Sequence, residues 1–152
     1  AVAALVDEQP DVATWHASRA VTAATVDATT AAASFDRIIH DDHHELPPSF
    51  TLLPGLVAAA DATVLMDDAE RAARILPHLE PFGGWWATFD VGTFGPVDLS
   101  LARLHQLLGD RARAHETARR GRRSCAGARA PVFTPALAEL AAGSHPSPGT
   151  TT

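Results

Sequence analysis

Apolar residues recur along this chain at the spacing of amphipathic helices, and the breaks between stripes fall on capping and turn residues. Leu53, Val57, Ala60 and Val64 stand at i, i+4, i+7 and i+11, which places them on one helical face. Leu101, Leu104 and Leu108 form a second stripe ended by Gly109, and Ala114, Ala118, Gly121 and Cys125 form a third. Gly109-Asp110 joins a helix-stopping glycine to a carboxylate that can cap the next helix. The pattern predicts two antiparallel helices that face each other through small residues.

The rest of the chain divides in the same way. Pro10 breaks a short first segment, and a helix is predicted from about Val12 to Val26, with Trp15, Arg19 and Thr22 along it. Asp27 opens another through Ala31, Phe35, Ile38 and Ile39. Leu46-Pro47-Pro48-Ser49 then stops regular structure, because proline lacks a backbone donor and restricts the residue before it. The Leu53 helix ends near Asp67, and Asp68 caps a partner that buries Ala72, Ile75, Leu76 and Leu79. Pro77 predicts a kink or an early end in that partner. Pro81, Gly83 and Gly84 confirm the stop, and Trp85 to Gly95 reads as a long aromatic connection. Pro96 restarts a helix, and a last one from about Phe133 to Ala142 carries Leu137 and Leu140.

Three helix starts share one pattern: Asp27-Ala28-Thr29-Thr30-Ala31, Asp68-Ala69-Glu70-Arg71-Ala72 and Asp110-Arg111-Ala112-Arg113-Ala114. They lie 41 and 42 residues apart, and each follows an apolar helix and opens a second one. A near-constant period of this length marks stacked helical hairpins, each burying its apolar face against its neighbours. The expected organisation is all-α, with one helical-repeat domain over residues 1–143 and a disordered Pro/Ser/Thr-rich tail over 144–152.

Leu65-Met66-Asp67-Asp68-Ala69-Glu70-Arg71-Ala72, Leu79-Glu80-Pro81-Phe82-Gly83-Gly84, Gly95-Pro96-Val97-Asp98 and Leu108-Gly109-Asp110 with Ala114 carry a resemblance. Over about Pro10 to Gly143 the chain resembles the tetratricopeptide-like region of large bacterial, actinobacterial-type signalling proteins. Those are multidomain ATPase regulators with a LuxR-type DNA-binding domain or a nucleotide cyclase domain elsewhere. The resemblance implies a right-handed tetratricopeptide-like solenoid of about three helical hairpins plus a C-terminal helix. It implies the scaffold portion of a longer cytoplasmic regulator. The chain departs from the family in having Asp67 where the turn usually has Gly, Pro77 inside a repeat helix, and a period longer than the standard one.

Composition narrows the function classes. The 152 residues suit one domain, with 46 % hydrophobic and 20 % charged residues. All 12 basic residues are Arg, so no phosphate loop ending in Lys-Ser or Lys-Thr exists and this is not the ATPase part. The single cysteine excludes an intrachain disulfide and agrees with a reducing compartment, and its place on a small-residue stripe predicts a buried thiol. The N-terminal residues lack the basic segment and apolar core of a signal peptide, and Ala1 to Val6 reads as the end of a preceding element. No membrane span is expected. No cofactor is implied.

Charge is distributed unevenly. Gly109 to Gly127 carries six Arg against Asp110 and Glu116, a net of +4 within a chain of net −6. At 100° per residue these arginines cover the face opposite Ala114, Ala118, Gly121 and Cys125. Such a face fits an acidic protein partner, another domain of a parent protein or a phosphate-bearing ligand, or else is simply a solvated exterior. Nucleic acid is not expected, because the chain is acidic and no aromatics interleave with the arginines. The candidate partner-binding residues are Arg113, Arg119, Arg120, Arg123, Trp85 and Trp86. Two alternatives stand beside this scaffold. The run from His40 to Glu45 would serve a small metal-dependent enzyme or metal sensor through His40, His43 and His44. The aromatic stretch 85–94 would serve a small-molecule sensor, or would fold back over a helix layer.

Overall fold

The computed structural model describes Ala4, Asp7, Glu8 and residues 13–39, 52–89 and 92–143. The predicted start of the first helix, the His40 to Glu45 run, the Pro47-Pro48 stop and the tail over 144–152 lie outside the described residues. The protein is mainly helical. Its described elements are α1 (Ala13–Ala23), α2 (Ala28–Ile38), α3 (Leu52–Leu65), α4 (Ala69–Leu79), β1 (Trp86–Phe89), β2 (Gly92–Pro96), α5 (Val97–Leu107), α6 (Arg111–Ala128) and α7 (Thr134–Ala142). Single 3₁₀ turns at Glu80–Phe82 and Pro131–Phe133 lead into the hairpin and into α7.

The three aspartates act alike. Asp27, Asp68 and Asp110 each accept a hydrogen bond from the backbone N–H three residues on, at Thr30, Arg71 and Arg113, each at 3.0 Å. Each bond satisfies an amide donor that the first helical turn leaves unpaired. Positions four, seven and eleven after the cap are buried in every copy. These are Ala31, Ser34 and Ile38 in α2, Ala72, Ile75 and Leu79 in α4, and Ala114, Thr117 and Gly121 in α6.

The last two helix joints also share their backbone. Asp68 N–H donates to Thr63 at 3.2 Å and Asp110 N–H to His105 at 2.9 Å, the six-to-one bond that closes a helix C-terminus. The residue before each cap is left-handed, Asp67 at φ 54° and Gly109 at φ 79°. Asp67 therefore adopts the conformation that glycine supplies in the other joint, which aspartate tolerates better than most side chains.

Packing follows chain order. α1 lies against α2 and α3, α3 against α4 and α5, α5 against α4, α6 and α7, and α6 against α7. The largest apolar cluster joins Phe35 and Ile38 of α2 to Leu56 and Val57 of α3, Ile75 and Leu79 of α4, and Val97, Leu101 and Leu104 of α5. An alanine-rich cluster ties α1 and α2 to Ala62. Leu99, Ala102, Ala118, Cys125, Leu137 and Leu140 form another between α5, α6 and α7. The central α3 is buried continuously from Pro54 to Ala60, as expected for a helix apolar on most sides.

Two expectations are corrected. Of the kink or early end expected at Pro77, the early end does not occur: α4 runs two residues beyond it before the 3₁₀ turn. Proline removes the one amide that would bond the Ala73 carbonyl, and with only two helical residues after it no further turn has to be carried past the gap. The stretch Trp85 to Gly95 is not an irregular connection: it forms an antiparallel hairpin, pairing Trp86 with Pro96, Ala87 with Gly95, Thr88 with Thr93 and Phe89 with Gly92. The register shifts between Ala87 and Thr88, leaving Phe94 of β2 as the extra residue next to Gly95 at φ 100°. Only glycine fits there, since a Cβ would stand 2.6 Å from the Phe133 ring.

Candidate interaction face

The hairpin and α6 meet over a buried carboxylate. Asp98 occupies the first turn of α5, where the helix dipole favours an anion, and its side chain is fully buried. One carboxylate oxygen, Oδ1, accepts from Gly84 N at 3.1 Å, from Arg120 Nε at 2.9 Å and from Arg120 Nη2 at 2.7 Å. The hydrogen bond to Asp98 holds the Arg120 guanidinium above its ordinary pKa. Oδ2 has no partner among the described residues. Gly83 lets this arginine pass, because a Cβ there would meet Arg120 Nη2 at 2.7 Å. The Gly83-Gly84 turn is thus fastened from α6 through Asp98.

The neighbouring aromatics divide into a fixed ring and an exposed one. Trp86 donates its indole N–H to Ser124 Oγ of α6 at 2.8 Å and meets Phe133 edge to face at 5.9 Å. Trp85 is 61 % exposed, touching Phe82 edge to face at 5.9 Å. Phe94 is also exposed. Ala87 is fully buried in the largest core cluster, so the hairpin does cover a helix layer with one face.

No protein-family model, no curated protein and no solved structure matches this chain.

The four candidate arginines occupy different situations. Arg120 is committed to Asp98. Arg113, 63 % exposed, pairs with Glu80 at 3.6 Å and Asp110 at 3.5 Å, contacts long enough to be weak. Arg119 and Arg123 are exposed and make no ion pair among the described residues. Trp85 faces outward at the other end of the Gly83-Gly84 turn, while Trp86 is part of the packing. Opposite the arginines, Ala114, Ala118, Gly121 and Cys125 are buried as the stripe predicts. Burial also raises the pKa of the Cys125 thiol, with the Asp98 charge adding to the effect.

Sequence reasoning missed the polar clasps between helices. Asp36 of α2 receives Arg71 at 2.9 Å and Arg74 at 2.8 Å from α4, and both guanidiniums lie over the buried Phe35 ring, 5.8 and 5.6 Å from its centroid. Arg74 also donates to the Ile39 carbonyl at 2.6 Å. On the other side, Asp61 of α3 accepts from Ser100 of α5 at 3.0 Å and stands 3.4 Å from Arg103. Desolvation raises the Asp61 pKa despite these partners. The local pairs Asp68–Arg71, at 2.6 Å, and Asp110–Arg113, at 3.5 Å, do carry a signal in the sequence, through their i,i+3 spacing. The metal alternative cannot be placed, since His40, His43 and His44 lie outside the described residues. Among the described residues no three His, Cys, Asp or Glu side chains gather as a metal set.

Proposed function

We propose that this chain is a non-catalytic interaction or regulatory scaffold, built as a tetratricopeptide-like stack of three helical hairpins closed by α7. One observation carries the reading: the same capping aspartate opens the second helix of each hairpin, with burial recurring four, seven and eleven residues later. A chain that reuses one joint at a near-constant period adds units that pack on their neighbours. The order of helix contacts supports this, because α1, α3, α5 and α7 touch in sequence. No described helix is long and apolar enough to cross a membrane.

The working face in this reading is the exterior of α6 with Trp85 at its edge. Arg119 and Arg123 offer exposed guanidiniums with no ion pair among the described residues, which suits carboxylates on an acidic protein surface. Trp85, exposed next to the Gly83-Gly84 turn that Arg120 of α6 reaches, supplies the rigid apolar area that interaction hot spots favour. The partner is either a separate acidic protein or another domain of a longer bacterial signalling protein. Arg120 and Trp86 belong to the support of this face.

Site-specific photo-crosslinking in cells tests the assignment. A photoreactive residue at Arg119, at Arg123 or at Trp85 is expected to capture one common protein or domain, and the R119E/R123E variant to lose it. Capture no greater than from a control position at Ala28, on the far hairpin, overturns it.

A further inference from the structure

A second opening lies away from the arginine face, between α1 and α2. A cleft of about 500 Å³ is lined by His16 and Arg19 of α1, by Thr29, Thr30, Ser34 and Arg37 of α2, and by Asp7 and Ala33. That volume is in the range of sites that hold a small organic ligand. The lining is polar and cationic. Two guanidiniums reach it from different helices, against one carboxylate, Asp7, among the described lining residues. Asp27 also lies near enough to Arg19 for its own pKa to be lowered by the charge, a smaller effect than its hydrogen bonds to Thr30.

The walls are built into the fold. Ser34 is only 3 % exposed and His16 only 5 % exposed, yet both line the cleft. Ser34 stands seven residues after its capping aspartate, where the later hairpins bury Ile75 and Thr117. A hydroxyl where α4 carries isoleucine gives the first hairpin a polar interior wall. Thr30 contributes less, because its hydroxyl already donates to Asp27 at 2.5 Å.

We infer that the cleft between α1 and α2 binds a small phosphate monoester, its phosphoryl group held between Arg19 and Arg37 with Ser34 as a hydroxyl donor. A tetrahedral dianion supplies three acceptor oxygens to two forked guanidinium donors, a match that a single carboxylate only half fills. The remaining volume takes the organic body. Asp7 lies at the same opening, where it accepts a ligand hydroxyl and disfavours a second anionic group. This inference is independent of the scaffold reading, since none of its residues belongs to the α6 face.

Isothermal titration calorimetry of the full chain with inorganic phosphate, and with glycerol phosphate as a monoester, tests it against chloride and acetate at equal ionic strength. Saturable binding of both phosphates is expected, the monoester tighter, with acetate at least tenfold weaker. Arg19→Gln and Arg37→Gln should each weaken the phosphates tenfold or more, and Arg37→Lys should restore part of the loss. No saturable heat from either phosphate on the native chain overturns the inference, whatever the variants do. Equal affinity for acetate, or undiminished affinity in the R19Q/R37Q variant, overturns it as well.

Discussion

At the scale of single residues, the strongest commitment in the molecule is the Asp98 carboxylate, which is fully buried and answered by one guanidinium and one backbone amide. Removing the arginine leaves an uncompensated buried charge, a situation that costs about 3–5 kcal/mol when the charge has no other recourse. Arg120→Ala should therefore destabilise the protein by about 3 kcal/mol in urea unfolding, whereas Arg119→Ala and Arg123→Ala should each change stability by less than about 0.5 kcal/mol. Equal effects at the three positions would refute the distinction between a supporting and a presented arginine. His105 makes a second residue-scale case. It is 4 % exposed, and burial lowers its pKa below 6.5 against the opposing pull of Glu80 and Asp110. Below about pH 6.5 the unfolded chain takes up a proton that the folded chain refuses, so stability present above that pH is lost as pH falls toward the folded pKa. Urea midpoints at pH 7.5 and 5.5 should show a larger loss for the native chain than for His105→Gln; parallel losses would remove His105 from the account.

At the scale of elements, the hairpin is where sequence reasoning and structure part, and the reason is physical. Helical stripes announce themselves over three turns, and the caps Asp27, Asp68 and Asp110 mark where they begin. Two strands of four and five residues give too short an alternation to be told from an irregular loop. Their pairing depends on Gly95 and the Phe133 ring, separated along the chain by α5 and α6. The same long-range dependence hid the division between Trp85 and Trp86, adjacent residues of identical type. Trp86 is held by Ser124 and Phe133 from elements that follow it in sequence, and Trp85 by its neighbour Phe82. Trp86→Ala should accordingly cost about 2–3 kcal/mol and lower the melting temperature, while Trp85→Ala should leave both nearly unchanged. Similar melting curves for the two variants would show that the hairpin does not fasten to α6 through Trp86.

At the scale of the whole molecule, each helix pair is coupled to the next through contacts between neighbours. Capping, turn closure and the small-residue stripe of α6 were legible in the sequence because each is local. The clasps that tie one helix pair to the next, Asp36 with Arg71 and Arg74, and Asp61 with Ser100 and Arg103, were not, because their partners lie 35 to 42 residues apart. The candidate site was legible to the same extent: the arginine cluster and the tryptophans were visible, but not which of them the fold consumes. If the chain is a stack of hairpins, loosening the Asp36 clasp should be felt by its neighbours and fade with distance. Native-state hydrogen exchange on Asp36→Ala measures this directly. Faster exchange is expected in α1 through α4 with unchanged protection in α6 and α7; a uniform loss of protection across every helix would contradict a stack of hairpins.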